Sequence, residues 1–367
     1  MRTTLRSLLV LGALVAAPAA LRAQDVSDED QPHPPGHWAI NLTVGGSGLS
    51  IGNSARVNGL RINWSDYGLE RVNGVNLTLW KPHKRLSGVI NGAAIGVVGP
   101  GASEINGLAV GLAGTVTDRR MRGVSLAGLG VVSQGSITGI AVSGLGTVSQ
   151  RTISGLAIAG LGAVAEGSVT GILVGGLGAV SQGHIHGLAV SGLGTVSQGG
   201  LTGVGVSGLA VVTQGDLKWL SIAGLATVAQ GDITGFTASG LATVSQGRVA
   251  GVSLNGLALV TEGGFSGVGF AGAGFVSQGR VRGAAISVYR VEAPRLSGFS
   301  VAGYLKVWDF TGLGVGVYNR VRTQQTGLTI GIVNYARRLQ GFQLGLINIA
   351  GNNRGLAKVL PIVNAHL

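Results

Sequence analysis

The chain has 367 residues, including 68 glycines and no cysteine; 45% are hydrophobic, 11% are charged, and the formal net charge is +12. Low charge with high hydrophobicity excludes a disordered chain, and glycine without a three-residue period excludes collagen. Interior glycine costs about 1 kcal/mol relative to alanine, which argues against long helices.

In chain order, residues 1–23 read as a secretory signal peptide. Arg2 and Arg6 form the positive start, and Leu8 to Ala17 form the apolar core. Small residues then offer a cut after Ala23 or Ala19. Residues 24–37, QDVSDEDQPHPPGH, carry four acids and no Lys or Arg. This composition predicts a disordered, acidic, proline-containing leader. Residues 38–367 carry +13, of which 38–106 and 107–282 hold +3 each and 283–367 holds +7. An exported chain without cysteine relies on packing and backbone pairing in place of disulfides.

Residues 38–106 repeat irregularly. VNG at 57–59 recurs at 72–74, and ING at 90–92 recurs at 105–107. Residues 107–282 repeat every 16 residues without insertion. Glycines stand at 107, 123, 139, 155, 171, 187 and 203, Trp219 takes the next place, and Gly235, Gly251, Gly267 and Gly283 follow. Counting this residue as row zero, row five is glycine from Gly128 to Gly272. Row six is leucine from Leu129 to Leu257, and row nine is valine from Val132 to Val276. Row eleven is Gln or Glu from Gln134 to Gln278, and row fourteen is apolar, as in Ile137 and Ile153. From 283 to 367 the glycines at 298, 312, 327, 341 and 355 lie 14 or 15 apart. The two irregular stretches read as end caps of one array.

Valine, isoleucine and threonine favour strands, and S-Q-G-S or A-Q-G-D reads as a tight turn. The predicted fold is all-β: a glycine-rich β-solenoid with 16-residue coils. Its alternative is an outer-membrane β-barrel with one strand per repeat. Hairpin-linked strands alternate in direction, so a barrel's natural sequence period is two strands; the observed period is one unit. Parallel stacking puts each residue about 4.8 Å from its own copy, which suits glutamine amide ladders and disfavours stacked like charges. Leucine of row six and valine of row nine are expected to fill the core. On that reading Leu193→Asp costs several kcal/mol, because it buries an unpaired charge.

The segment 326–351, TGLTIGIVNYARRLQGFQLGLINIAG, resembles the repeat of bacterial surface-repeat proteins, roughly G-L-x-I-G-[IL]-x-N. It occurs as Gly327 to Asn334 and Gly341 to Asn348, and LPIVNAHL is similar to how such chains end. The likeness covers about 40 residues; the central units lack the asparagine. The resemblance implies an exported, surface-associated protein and carries no active-site residue with it.

Residues that could carry chemistry are few. His184 and His186 form H-x-H, which on a strand puts both rings on one face. Asp216 and Asp232 lie one repeat apart near a turn, and two acids fall short of the six to eight oxygens calcium takes. No G-x-G string opens a helix, and no serine is partnered by His and Asp. The reading is therefore no enzyme, no cofactor and no metal. Lys81, His83, Lys84 and Arg85 cluster near the start, and Arg337, Arg338, Arg354 and Lys358 near the end. These groups suit anionic envelope lipid or acidic glycan; nucleic acid is not expected. The function expected is an exported surface, outer-membrane or periplasmic protein of bacterial type, with a structural, spacer or adhesive role. The alternative is a barrel serving as pore or anchor.

Overall fold

Row zero explains the coil. In the computed structural model, Gly155 and Gly171 face each other on adjacent parallel strands, both with φ of +122°. A Cβ on Gly171 would overlap the carbonyl oxygen of Gly155. Side chains avoid both that backbone angle and that approach, so glycine recurs once per coil. The structure describes residues 38–44, 47–83 and 85–366. The expected signal peptide (1–23), the expected acidic leader (24–37) with His33 and His37, and Lys84 lie outside them.

The described chain winds through about 18 parallel β-coils, a β-solenoid with almost no helix. This excludes the meandering barrel. No helix among the described residues is long and apolar enough to cross a membrane. By its internal contacts the chain divides at Gly192 and Leu193 into two units.

The first unit opens with Ala39–Val44, antiparallel to Ser47–Gly52. Every later pairing in it is parallel. Gly59, Gly74, Gly92, Gly107, Gly123 and Gly139 pair in succession through the irregular coils into the regular ones. Each regular coil then has a long strand, such as Ser136–Ser143, and a short one, such as Gly146–Ser149. Long strands pair with long, as Ile153–Ala159 with Val169–Gly175, and short with short, as Gly146–Ser149 with Gly162–Ala165. The second unit repeats this plan. Its coils shorten after Gly283, and Val359–His366 ends it antiparallel to Val333–Ala350.

The interior follows strand parity. Rows two, four, eight, ten and fourteen point inward. In one coil these are Ala141, Ser143, Thr147, Ser149 and Ile153, all buried. Four of the five are small, because two sheets share a narrow interior. Buried hydroxyls find partners there, as burial requires: Ser143 Oγ meets Thr147 Oγ1 at 3.0 Å, and Ser149 Oγ donates to the Gly135 carbonyl at 2.8 Å. In the second unit, Phe265 and Phe275 pack edge-to-face at 5.0 Å, where Gly269 leaves room for both rings.

Two expectations are corrected. Row-six leucines lie outside the core: Leu145 is 46% exposed, and Leu193 is 40% exposed. The Gly-Leu pair is the corner between long and short strands, so its side chain leaves both sheets. Row-nine valines alternate with buried rows eight and ten and point outward, half-exposed. Leu193→Asp therefore buries no charge. We expect Leu209→Gln to change stability by less than about 0.5 kcal/mol, as surface substitutions do. Leu217→Ala, in the buried row fourteen, is expected to cost about 2–5 kcal/mol. Urea unfolding of both variants checks the assignment; equal losses would contradict it. The amide ladders also differ from expectation. Asn73, Asn91 and Asn106 each donate to the asparagine one coil earlier, at 2.8, 2.8 and 3.0 Å, while Gln134 and Gln150 are exposed at their turns.

Candidate functional site

Each regular coil has two unlike corners. The thirteen charged residues of 107–282 all occupy rows eleven, twelve, thirteen and fifteen. In the first unit these are Asp118, Arg119, Arg120, Arg122, Arg151 and Glu166; in the second, Asp216, Lys218, Asp232, Arg248, Glu262, Arg280 and Arg282. They crowd the turn that closes the short strand. Burial raises the Asp118 carboxyl above its ordinary value, and Arg119 partly opposes this. Rows zero to ten of these coils carry no charge. Their outward residues are rows one, three, six and nine, almost all aliphatic or aromatic. The opposite corner is the leucine row.

Asp216 and Asp232, at the turns of the second unit, have structural partners. Asp216 Oδ1 accepts from the Asp232 amide at 3.0 Å, and Asp232 Oδ1 accepts from the Arg248 amide at 2.7 Å. Lys218 Nζ lies 3.1 Å from Asp216 Oδ2. Each carboxylate thus satisfies a backbone donor of the following coil. His184 and His186 bring their rings to 4.2 Å. Among the described residues, no three or more His, Cys, Asp or Glu side chains gather to hold a metal ion.

The two basic clusters fare differently. Near the start, Trp64 and Trp80 stack at 6.0 Å on the surface. Tyr67 meets His83 at 5.0 Å, and Lys81 and Arg85 lie in the same stretch. Near the end, Arg337, Arg338, Arg354 and Lys358 are all exposed. A further aromatic and basic row was not evident in the sequence. Tyr304 and Tyr318 stack at 5.3 Å. Arg322 lies over Trp308 at 4.9 Å, and Arg290 over Tyr304 at 5.9 Å. The coils here shorten to 14 or 15 residues, which hides the periodicity that would have aligned them.

Inside the first coils lies a buried ionic network, also missed. Arg61 is 0% exposed. Its Nη1 donates to Asp66 Oδ1 at 2.8 Å and to Asn76 Oδ1 at 2.7 Å. Asp66 also accepts from Asn63, Asn76, Thr78 and the Gly101 amide at 2.8–3.2 Å. Burial pushes the Arg61 guanidinium below its ordinary value, and the charge and hydrogen bond of Asp66 oppose this. The one signal in sequence is that Arg61 stands two residues after Gly59, at a row that is small in most other coils.

Compared with protein-family models, curated proteins and solved structures, the chain matches none.

Trp219 breaks the glycine row. It takes φ of +96° and is 72% exposed, between Gly203 and Gly235 in register. A bulky residue at this angle stores about 1–3 kcal/mol of strain. We expect Trp219→Gly to raise stability by about 1–2 kcal/mol, with glycine's extra unfolded freedom offsetting part of the gain. A lowered urea midpoint would mean that the ring's contacts outweigh the strain.

Proposed function

We propose that the chain is an exported, non-enzymatic envelope protein whose regular coils form a structural scaffold with an adhesive face. The observation that carries this reading is the segregation of charge. Every charged side chain of the regular coils sits at, or two residues beyond, the turn that follows the short strand, and outward rows one, three, six and nine are apolar. Monomeric soluble proteins rarely expose contiguous apolar patches beyond a few hundred Å², and larger ones mark interaction surfaces. The interior of the regular coils is filled mainly by Ser, Thr and Ala together with the apolar side chains of row fourteen. Export is supported by the apolar stretch Leu8–Ala17 after Arg2 and Arg6, and by the likeness of 326–351 to surface-repeat units.

The test is expression in a bacterium, with fractionation and N-terminal sequencing. The expected result is recovery in the envelope fraction with a new N-terminus after Ala23 or Ala19. Recovery in the cytosol with residues 1–23 retained would contradict the export reading. Release into the medium with no envelope-bound fraction would contradict the adhesive one.

A further inference from the structure

We propose that the leucine corner of the regular coils is a lipid-contacting edge, which enters a phospholipid layer at the boundary between head groups and acyl chains. This deepens the adhesive-face reading above and rests on it.

Geometry favours lipid over a protein partner. In the first unit the corner is Leu129, Leu145, Leu161 and Leu177, between 46% and 53% exposed; in the second it includes Leu209, Leu225, Leu241 and Leu257, between 43% and 51% exposed. Both flanks of the corner are apolar. On the long-strand side of the second unit stand Ile222, Leu254 and Phe270, all exposed. On the short-strand side stand Val228, Val244 and Val260, half-exposed. A flat protein surface covers one flank only. A fluid apolar phase closes around both.

Backbone pairing permits the entry. An amide or carbonyl taken into hydrocarbon must already be hydrogen-bonded. At the corner Leu145, Leu161 and Leu177 donate to the leucine carbonyl of the preceding coil at 2.8, 2.8 and 2.6 Å. Leu225, Leu241 and Leu257 do the same at 2.8 Å each. Gly146 and Ala226 add bonds to Leu129 and Leu209 at 3.0 Å. The amides of the corner are thus paired from coil to coil.

Charge and aromatic placement agree. In the regular coils of each unit no charge lies at the leucine corner or in the apolar rows beside it, so entry of the corner desolvates none. Trp219 sits at row zero, between polar Lys218 and apolar Leu220. Tryptophan is enriched at such boundaries because its ring is apolar and its N–H is polar. A lipid interface gives the exposed, strained ring a use.

The test uses the full chain and vesicles of phosphatidylcholine with phosphatidylglycerol, separated by flotation. The wild type is expected to float. The variant Leu209→Gln/Leu225→Gln/Leu241→Gln/Leu257→Gln, with unchanged thermal unfolding, is expected to lose at least tenfold in vesicle-bound fraction. Equal flotation of the two would overturn the proposal. Because the chain lacks cysteine, a polarity-sensitive dye can be attached at one residue alone. At Leu225→Cys its emission should shift to the blue on adding vesicles, and at Gln230→Cys it should not. The reverse pattern would overturn the edge assignment without reference to the fourfold variant. If the wild type stays unbound but self-associates in sedimentation, and the fourfold variant does not, a second copy covers the face. The lipid inference then fails and the adhesive reading stands. Absence of both behaviours removes both.

Discussion

Gly171→Val is expected to lose about 2–6 kcal/mol, enough to unfold much of the first unit at room temperature. Two costs combine: about 1–3 kcal/mol for a branched residue held at positive φ, and about 1–3 kcal/mol for overpacking against a backbone that cannot retreat. The atom in the way is the Gly155 carbonyl oxygen, itself fixed by pairing with the coils on either side. Total stabilities of 5–15 kcal/mol are typical, so the loss is a large share. In stacked repeats the damage also spreads to neighbouring interfaces. Urea unfolding followed by circular dichroism measures it. A loss under 1 kcal/mol would mean that row zero relaxes freely, and that its glycines have another cause.

Asp66→Ala is expected to cost about 3–5 kcal/mol, because it strands the buried Arg61 charge without its partner. It also leaves Asn63, Asn76 and Thr78 without the acceptor they share. Replacing both ions by apolar groups is often neutral, so Arg61→Met/Asp66→Ala is expected to recover most of the loss. The double-mutant cycle isolates the pair's coupling, since the residues are in direct contact. If both single variants unfold like the wild type, the network contributes no stability. The network lies one strand in from the antiparallel strand Ala39–Val44, where the parallel stack begins. Polar groups there give the first coils a fixed register, where an apolar interior alone would let strands slip.

The architecture was legible because stacking repeats its demands. Each coil places Gly171 on Gly155, and each such contact requires glycine again, so the sequence advertises its period. Parallel pairing followed from the same fact, since a hairpin would have given alternate units different turns. Which rows face inward was harder to see. Hydrophobicity pointed to Leu145 and Val148, whereas parity from Ile137 through Ala141 and Ser143 pointed to the small residues. Parity was right because in this coil rows two, four, eight and ten share the interior with the large apolar residue of row fourteen, Ile153, which leaves room only for small side chains beside it. Row six escaped the parity argument because Gly144 turns the chain there. Among possible sites, Trp219 was visible as a break in the glycine row. The Arg61 network was not, since Asp66 lies in the irregular segment after the strand and Asn76, Thr78 and Gly101 join from later coils of unequal length. The same irregularity hid the stacking of Tyr304 on Tyr318.

The central claim is an interior of small and hydroxyl residues with one large apolar row, row fourteen, and aliphatic rows six and nine outside. A cysteine scan through residues 139–154 tests it most directly, since the chain supplies no thiol of its own. Single cysteines would be alkylated by a charged, water-soluble reagent in the native protein without lipid. Cysteines at Leu145, Gln150 and Arg151 are expected to react at once. Those at Ala141, Thr147 and Ile153 should react only after unfolding. Protection of Leu145 together with fast labelling at Ala141 and Thr147 would turn the coil inside out and contradict the account.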